Sequence, residues 1–207
     1  MVFIVFQGRY AKFIQLMPKI RQIAFSLVLF VNILLLFLLV FEDRIALPLL
    51  LEFAGRLHPL VLHFPLVLFF VGILLEWIQN SSDEHSSTAQ NFIEIIFNLY
   101  AISAVLTALF GLFLYREGTY QGDEINLHKW LGSAVAILAL LILWFRSWSY
   151  KRPYVWSLIL SLFVLVAAGH SGAQVTHGED FLTEPFEKRN SSLAAGILNA
   201  DSAVIYR

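Results

Sequence analysis

The sequence predicts an all-α integral membrane protein. Five transmembrane helices are expected, with helices two to five as a four-helix bundle and the N-terminal helix at its periphery. Three observations carry this. Of the 207 residues, 58% are apolar and only 14% charged, against about 45–50% and about 25% in ordinary soluble domains. The mean hydropathy is +0.73. The apolar residues fall into runs of roughly 17–24, the length that crosses a hydrocarbon core of about 30 Å as a helix. A soluble chain of this size cannot hide so much apolar surface in one core.

The first run, 23–41, follows a basic segment (1–22) carrying Arg9, Lys12, Lys19 and Arg21. It is long for a signal-peptide core, and Glu42-Asp43-Arg44 follows with no small-residue cleavage site, so it reads as an uncleaved signal anchor. Residues 42–57 read as an interfacial segment, with a short helix opened by Pro48, stopped by Gly55, and Glu52 toward water. The remaining runs are 59–79, 92–115, 128–146 and 153–170. Each must be a helix, because an open strand would leave its backbone unsatisfied in lipid. Small residues recur at helical spacing: Ser103, Thr107 and Gly111 beside Ala104 and Ala108, then Gly132 with Ala136, and Ser157 with Ser161. Such stripes let helices approach closely. The tail, 171–207, is mostly polar and reads as extended, with a weakly helical stretch near 194–204.

Orientation follows from Lys and Arg. The N-terminal segment, with Arg146, Lys151 and Arg152, makes one basic side. The opposite loops hold Arg44, Arg56, Arg116 and Lys129 among six carboxylates (Glu42, Asp43, Glu52, Glu117, Asp123 and Glu124). The N-terminus is therefore placed in the cytoplasm and the tail outside, which in a bacterial inner membrane is the periplasm.

Several chemistries are excluded. A net charge of −1 gives no basic footprint for nucleic acid. The absence of cysteine removes disulfides, thiolate metal sites and covalent c-type haem. No nucleophile–base order, phosphate loop or catalytic carboxylate pair stands out.

Histidine carries what chemistry there is. His85 sits in a polar loop on the basic side and reads as solvated. His58, His63, His128, His170 and His177 all land on the other side. A b-type haem takes axial imidazoles from different helices, an apolar slot and cations near its propionates. His63 with His170 or His128, and His58 nearby, meet that demand in outline, and Arg56, Arg116 and Lys129 stand level with the propionates. A metal ion held by His63, His170 and His177 is the next option. His58 and His63 are five apart, about 140° on a wheel, and cannot share one ion from a regular helix. Pro65 frees the carbonyl of Val61 and allows a kink there. The plain alternative is helix capping at the interface, the first reading for His128 and His177. Glu76 and Glu94 read as snorkelling carboxylates. Gly169 and Gly172 are expected to turn the chain, packing His170 against the His58–His63 segment and folding the tail over the bundle mouth.

Two segments carry a resemblance. His58-Pro59-Leu60-Val61-Leu62-His63-Phe64-Pro65 resembles the His-Pro-x-x-x-His-Phe-Pro signature of an uncharacterised bacterial membrane-domain family. Gly169-His170-Ser171-Gly172-Ala173-Gln174-Val175-Thr176-His177-Gly178-Glu179-Asp180-Phe181-Leu182-Thr183 is similar to the segment that follows that family's last helix where it precedes planctomycete-type cytochrome c domains. The resemblance implies a small helical membrane module near electron-transfer domains, with no established catalytic residues. In such proteins a Cys-x-x-Cys-His domain follows the tail; these residues contain none. The functions expected are therefore a periplasm-facing electron-transfer module that binds b-type haem or docks a c-type cytochrome domain or larger membrane complex, a non-catalytic anchor, or a metal site.

Overall fold

The computed structural model describes residues 2–82, 86–118, 122–148, 150–178, 183–186 and 188–189. Among the described residues seven α-helices run in order: α1 (Val2–Val40), α2 (Leu49–Arg56), α3 (His58–Val61), α4 (His63–Asn80), α5 (Ser87–Arg116), α6 (Asp123–Ser147) and α7 (Lys151–His177). Five stretches are long and apolar enough to cross a membrane: Pro18–Val40, His58–Asn80, Ser87–Arg116, Asp123–Ser147 and Lys151–His177. This is the expected all-α membrane architecture. His85 and residues 194–204, for which loop and helix readings were made, lie outside the described residues.

α5 is the hub, packing on α1, α2, α3, α4 and α6, while α7 lies against α6. The core is built where aromatic and small side chains interdigitate: Phe69, Phe97 and Tyr100 are fully buried beside Ala101 and Ala139. Between helices in lipid there is no hydrophobic gain from contact, so close van der Waals packing holds them. Ala104, Ala136, Ser157 and Ser161 are all buried, as the small-residue spacing requires. α1 is peripheral. One stripe, Ala24, Val28, Val31, Leu35 and Leu39, is buried against α5 and α6, and Ile23, Phe30, Ile33 and Phe37 are exposed on the other side.

Three element boundaries differ from expectation, and the kink allowed by Pro65 is present. α1 begins at Val2, well before the apolar run, because Arg, Lys and Gln are themselves good helix formers. α2 opens after Pro48 as expected, with the Pro48 carbonyl accepting from Leu51 and Glu52 N–H. It runs through Gly55, however, which is buried; a Cβ there would lie 2.6 Å from Leu114 N. That glycine permits backbone contact with α5 and does not stop the helix. The span begun at His58 is interrupted at Leu62, between α3 and α4, where Pro65 cannot donate to Val61. Finally, α7 continues through Gly169 and Gly172 to His177. No proline follows to end it, and Gly172 is used for side-chain contact, so the turn expected at His170 does not occur.

Candidate functional site

The histidines that meet are His58 and His128. Their ring centroids are 6.1 Å apart with planes at 81°. His58 stands at the first position of α3, and its Nδ1 lies 2.9 Å from the carbonyl oxygen of Thr107 on α5. Its ring edge lies over Gly111, where a Cβ would come within 3.0 Å of Cε1 and Nδ1. His128 stands in the second turn of α6, with Nδ1 2.9 Å from the carbonyl oxygen of Ala168 and 3.3 Å from Ser171 Oγ on α7. Its ring lies over Gly172, where a Cβ would come 2.9 Å from Cε1. A carbonyl only accepts, so Nδ1 carries the proton in both rings. In the neutral imidazole Nε2 then keeps its lone pair. This is the arrangement of histidines that ligate metals, whose second nitrogen is held by a carbonyl or carboxylate.

Both rings line an apolar cavity of about 110 Å³ at this end of the bundle. Five of its thirteen lining residues are small: Ala104 and Ala108 from α5, Gly132 from α6, Ala168 and Gly169 from α7. Thr107 also lines it, and its buried Oγ1 has no hydrogen-bond partner in the protein.

The other proposed ligands are placed elsewhere. His63 is exposed on α4, and His170 and His177 are exposed on α7; none lines the cavity. Beyond the break at Leu62 the side chain of His63 leaves the bundle interior. The continued helix turns Ser171 inward, fully buried, and His170 outward. Among the described residues no three His, Cys, Asp or Glu side chains gather to hold a metal ion, so the grouping of His63, His170 and His177 is not formed. His128, read first as a cap, is instead the partner of His58.

The cations named for propionates are already engaged. Arg56 pairs with Glu117 through two nitrogens. Arg116 lies 3.6 Å from Asp43 and donates to the Ile45 carbonyl at 3.4 Å. Lys129 Nζ donates to Glu42 at 2.7 Å and sits 4.0 Å from the centroid of Tyr115. The Arg56 hydrogen bond holds the Glu117 carboxyl below the usual carboxylate range and raises the guanidinium in turn.

Glu76 and Glu94 are also paired. Glu76 accepts from Arg146 and from the Tyr154 hydroxyl, and Glu94 lies 3.4 Å from Arg21.

Residues 55–180, which include α3 to α7 and the whole cavity, match the family model described as Predicted membrane protein (DUF2231). The chain belongs to this family. No curated protein and no solved structure matches it. The DUF2231 segment begins at the buried Gly55, so α1 and most of α2 precede the family core. What sequence reasoning missed within that core was the pairing of His58 with His128 and the glycines beneath the rings. A signal was present: Leu57-His58 and Leu127-His128 each open a long apolar span.

Proposed function

We propose that the chain is the membrane module of a periplasm-facing electron-transfer system in a bacterial inner membrane, and that His58 and His128 would hold a b-type haem. One observation carries this reading: two imidazoles from separate helices, each with Nδ1 on a backbone carbonyl, stand 6.1 Å apart across an apolar cavity. The number of donors also decides. Catalytic zinc sites use three protein ligands and structural ones four. Two imidazoles alone suit a metal that brings its own equatorial donors, as haem iron does.

The apolar walls suit the body of such a group, and the cavity of about 110 Å³, below the ~300–1,000 Å³ of ordinary ligand pockets, would have to widen to take it. Small residues leave room around the imidazoles, and Nε2 of each ring is the free donor. Arg56, Arg116 and Lys129 each hold a carboxylate of this chain, so a propionate would bind there by exchange. Arg56, with two-thirds of its side chain exposed, is the most accessible. When bound, the haem would supply one-electron chemistry; the protein holds it, orients it and keeps water from its faces. The excess of Lys and Arg at the opposite end of the bundle supports a periplasmic position for the histidines. The resemblance to segments that precede cytochrome c domains supports a c-type cytochrome as the electron partner.

The test is an optical spectrum of protein purified from haem-replete cells. A Soret band is expected, with α and β bands on reduction. His58→Ala and His128→Ala should abolish or shift them, and His63→Ala and His170→Ala should not. A colourless protein would leave the non-catalytic anchor as the better account.

A further inference from the structure

The interval of 70 residues between Glu76 and Arg146 also separates His58 from His128 and the buried Phe69 from the buried Ala139. A second constant interval carries Tyr100 onto Ser161, Thr107 onto Ala168 and Gly111 onto Gly172. The first of these pairs is fully buried. The other two pairs make the histidine device in duplicate. In each half an imidazole at the start of one helix bonds a carbonyl of the next, and its ring lies over the glycine four residues further on. α4 and α6 both run away from the histidine end, so the repeat is parallel, with its axis along the bundle, a known architecture in membrane proteins. The cavity lies on that axis. Its walls pair across it, Pro65 with Val135 and Ala104 with Leu165, as the histidines do.

The two halves are not packed alike. The α5–α6 interface is closed, and α1 lies against both helices. The backbones of the symmetry-related pair, α4 and α7, do not approach as closely. They are joined at the far end by the Tyr154–Glu76 hydrogen bond at 2.6 Å. At the histidine end the cavity is lined by the half-buried Leu62, at the break before α4, by the half-buried Leu66 on α4, and by the exposed Gly169 on α7. At Gly169 and at Gly132 an added Cβ would meet nothing within 4 Å. This side of the bundle belongs to spans long and apolar enough to lie in lipid.

We propose that the His58–His128 cavity is a two-fold site reached from the lipid through the α4–α7 seam, and that it takes one flat, apolar-bodied group centred on the axis between the two imidazoles. The proposal rests on reading the two histidines as ligands, and adds the symmetry of the site and its route of access. The walls are apolar, the Nε2 atoms of the two imidazoles lining the cavity are equivalent, and the seam is where a flat group can enter edge-on.

The chain has no cysteine, so single-cysteine variants report one position. Leu66→Cys and Gly169→Cys, on opposite sides of the seam, are labelled in native membranes with N-phenylmaleimide or with a charged, membrane-impermeant thiosulfonate. The apolar reagent should react at least about tenfold faster at both positions, because an apolar phase excludes the charged one. Gly132→Leu, filling the cavity, should slow labelling of Gly169→Cys. Equal rates would place the opening in water, and no reaction with either reagent would show a closed seam; both results overturn the proposal. Labelling needs no haem, so the readings fail separately. A colourless protein with lipid-side labelling loses the haem but keeps the access route, and a haem-loaded protein labelled equally by both reagents does the reverse.

Discussion

Glu76 and Arg146 form an ion pair near the end of the bundle away from the histidines, and Tyr154 completes it by donating its hydroxyl to Glu76 Oε2 at 2.6 Å. The pair joins α4 to α6, and the tyrosine joins α7 to both. Less than a fifth of either charged side chain is exposed. The Arg146 guanidinium also lies 5.4 Å from the Phe97 ring centroid. Removing one partner leaves a charge with neither water nor counter-ion. Glu76→Ala and Arg146→Ala should each cost about 3–5 kcal/mol. Replacing both by apolar residues of similar volume, Glu76→Met with Arg146→Leu, should recover most of that loss. Thermal unfolding in detergent measures it, and single losses that simply add in the double variant would contradict the account.

The Arg56–Glu117 pair joins the loop after α5 to the end of α2, beside the site. Its carboxyl is held below the usual range by the hydrogen bond from Arg56. A depressed folded-state value means the contribution is complete above the ordinary carboxylate pKa, about 4.3 for glutamate. It disappears as pH falls through the lower, folded value. Glu117→Gln should therefore lower the melting temperature slightly at neutral pH and flatten its fall below about pH 4. Added salt should reduce the wild-type advantage, because this pair is screened. A melting curve with the same acid limb in wild type and variant would refute the assignment.

The spans were legible because lipid leaves a continuous apolar run no alternative to a helix. Packing was less legible. Gly55 and Gly172 look like helix stops in sequence, yet each sits inside a helix where a neighbour comes close: the Leu114 backbone in one case and the His128 ring in the other. A glycine that ends a helix and one that admits a neighbour are the same letter. The histidines failed for a related reason. A wheel drawn from His58 through His63 assumes one helix, and the break at Leu62 removes that assumption. His63 attracted attention by its depth in the apolar run, but depth says nothing about whether a side chain faces protein or lipid. Glu76 and Arg146 stood at the ends of two different runs, and only the repeat would have paired them.

Topology follows from the same charge count that placed the histidines outside. Reporter fusions after Ser82 and after Tyr150 should be active as cytoplasmic domains. One after Gly178, past the true end of α7, should be active as a periplasmic domain. Adding Lys and Arg to the loop between α5 and α6 should weaken this bias. A fusion after Gly178 that reports from the cytoplasm would move the histidine site to the other membrane face and remove the periplasmic electron partner.

Gly111 and Gly172 are positioning residues, and the prediction about them separates the site from the fold. In a helix interior alanine is favoured over glycine by about 1 kcal/mol, so Gly111→Ala and Gly172→Ala should not weaken their helices. The added Cβ, however, would stand 3.0 Å from His58 Cε1 in one case and 2.9 Å from His128 Cε1 in the other. Each ring must move, and with it the 2.9 Å contact between Nδ1 and its carbonyl. Gly132→Ala is the control, since a Cβ there meets nothing within 4 Å although the residue lines the same cavity. All three variants should melt near the wild-type temperature. The two ring-bearing glycines should shift the haem spectrum to a similar degree, as the two-fold site requires, and added imidazole should restore it by replacing the displaced ligand. Gly132→Ala should leave both Nδ1–carbonyl contacts in place. A Gly111→Ala protein with a wild-type spectrum, beside a His58→Ala protein that has lost it, would show that the ring is held by the Thr107 carbonyl alone and that the glycine has no part in placing it.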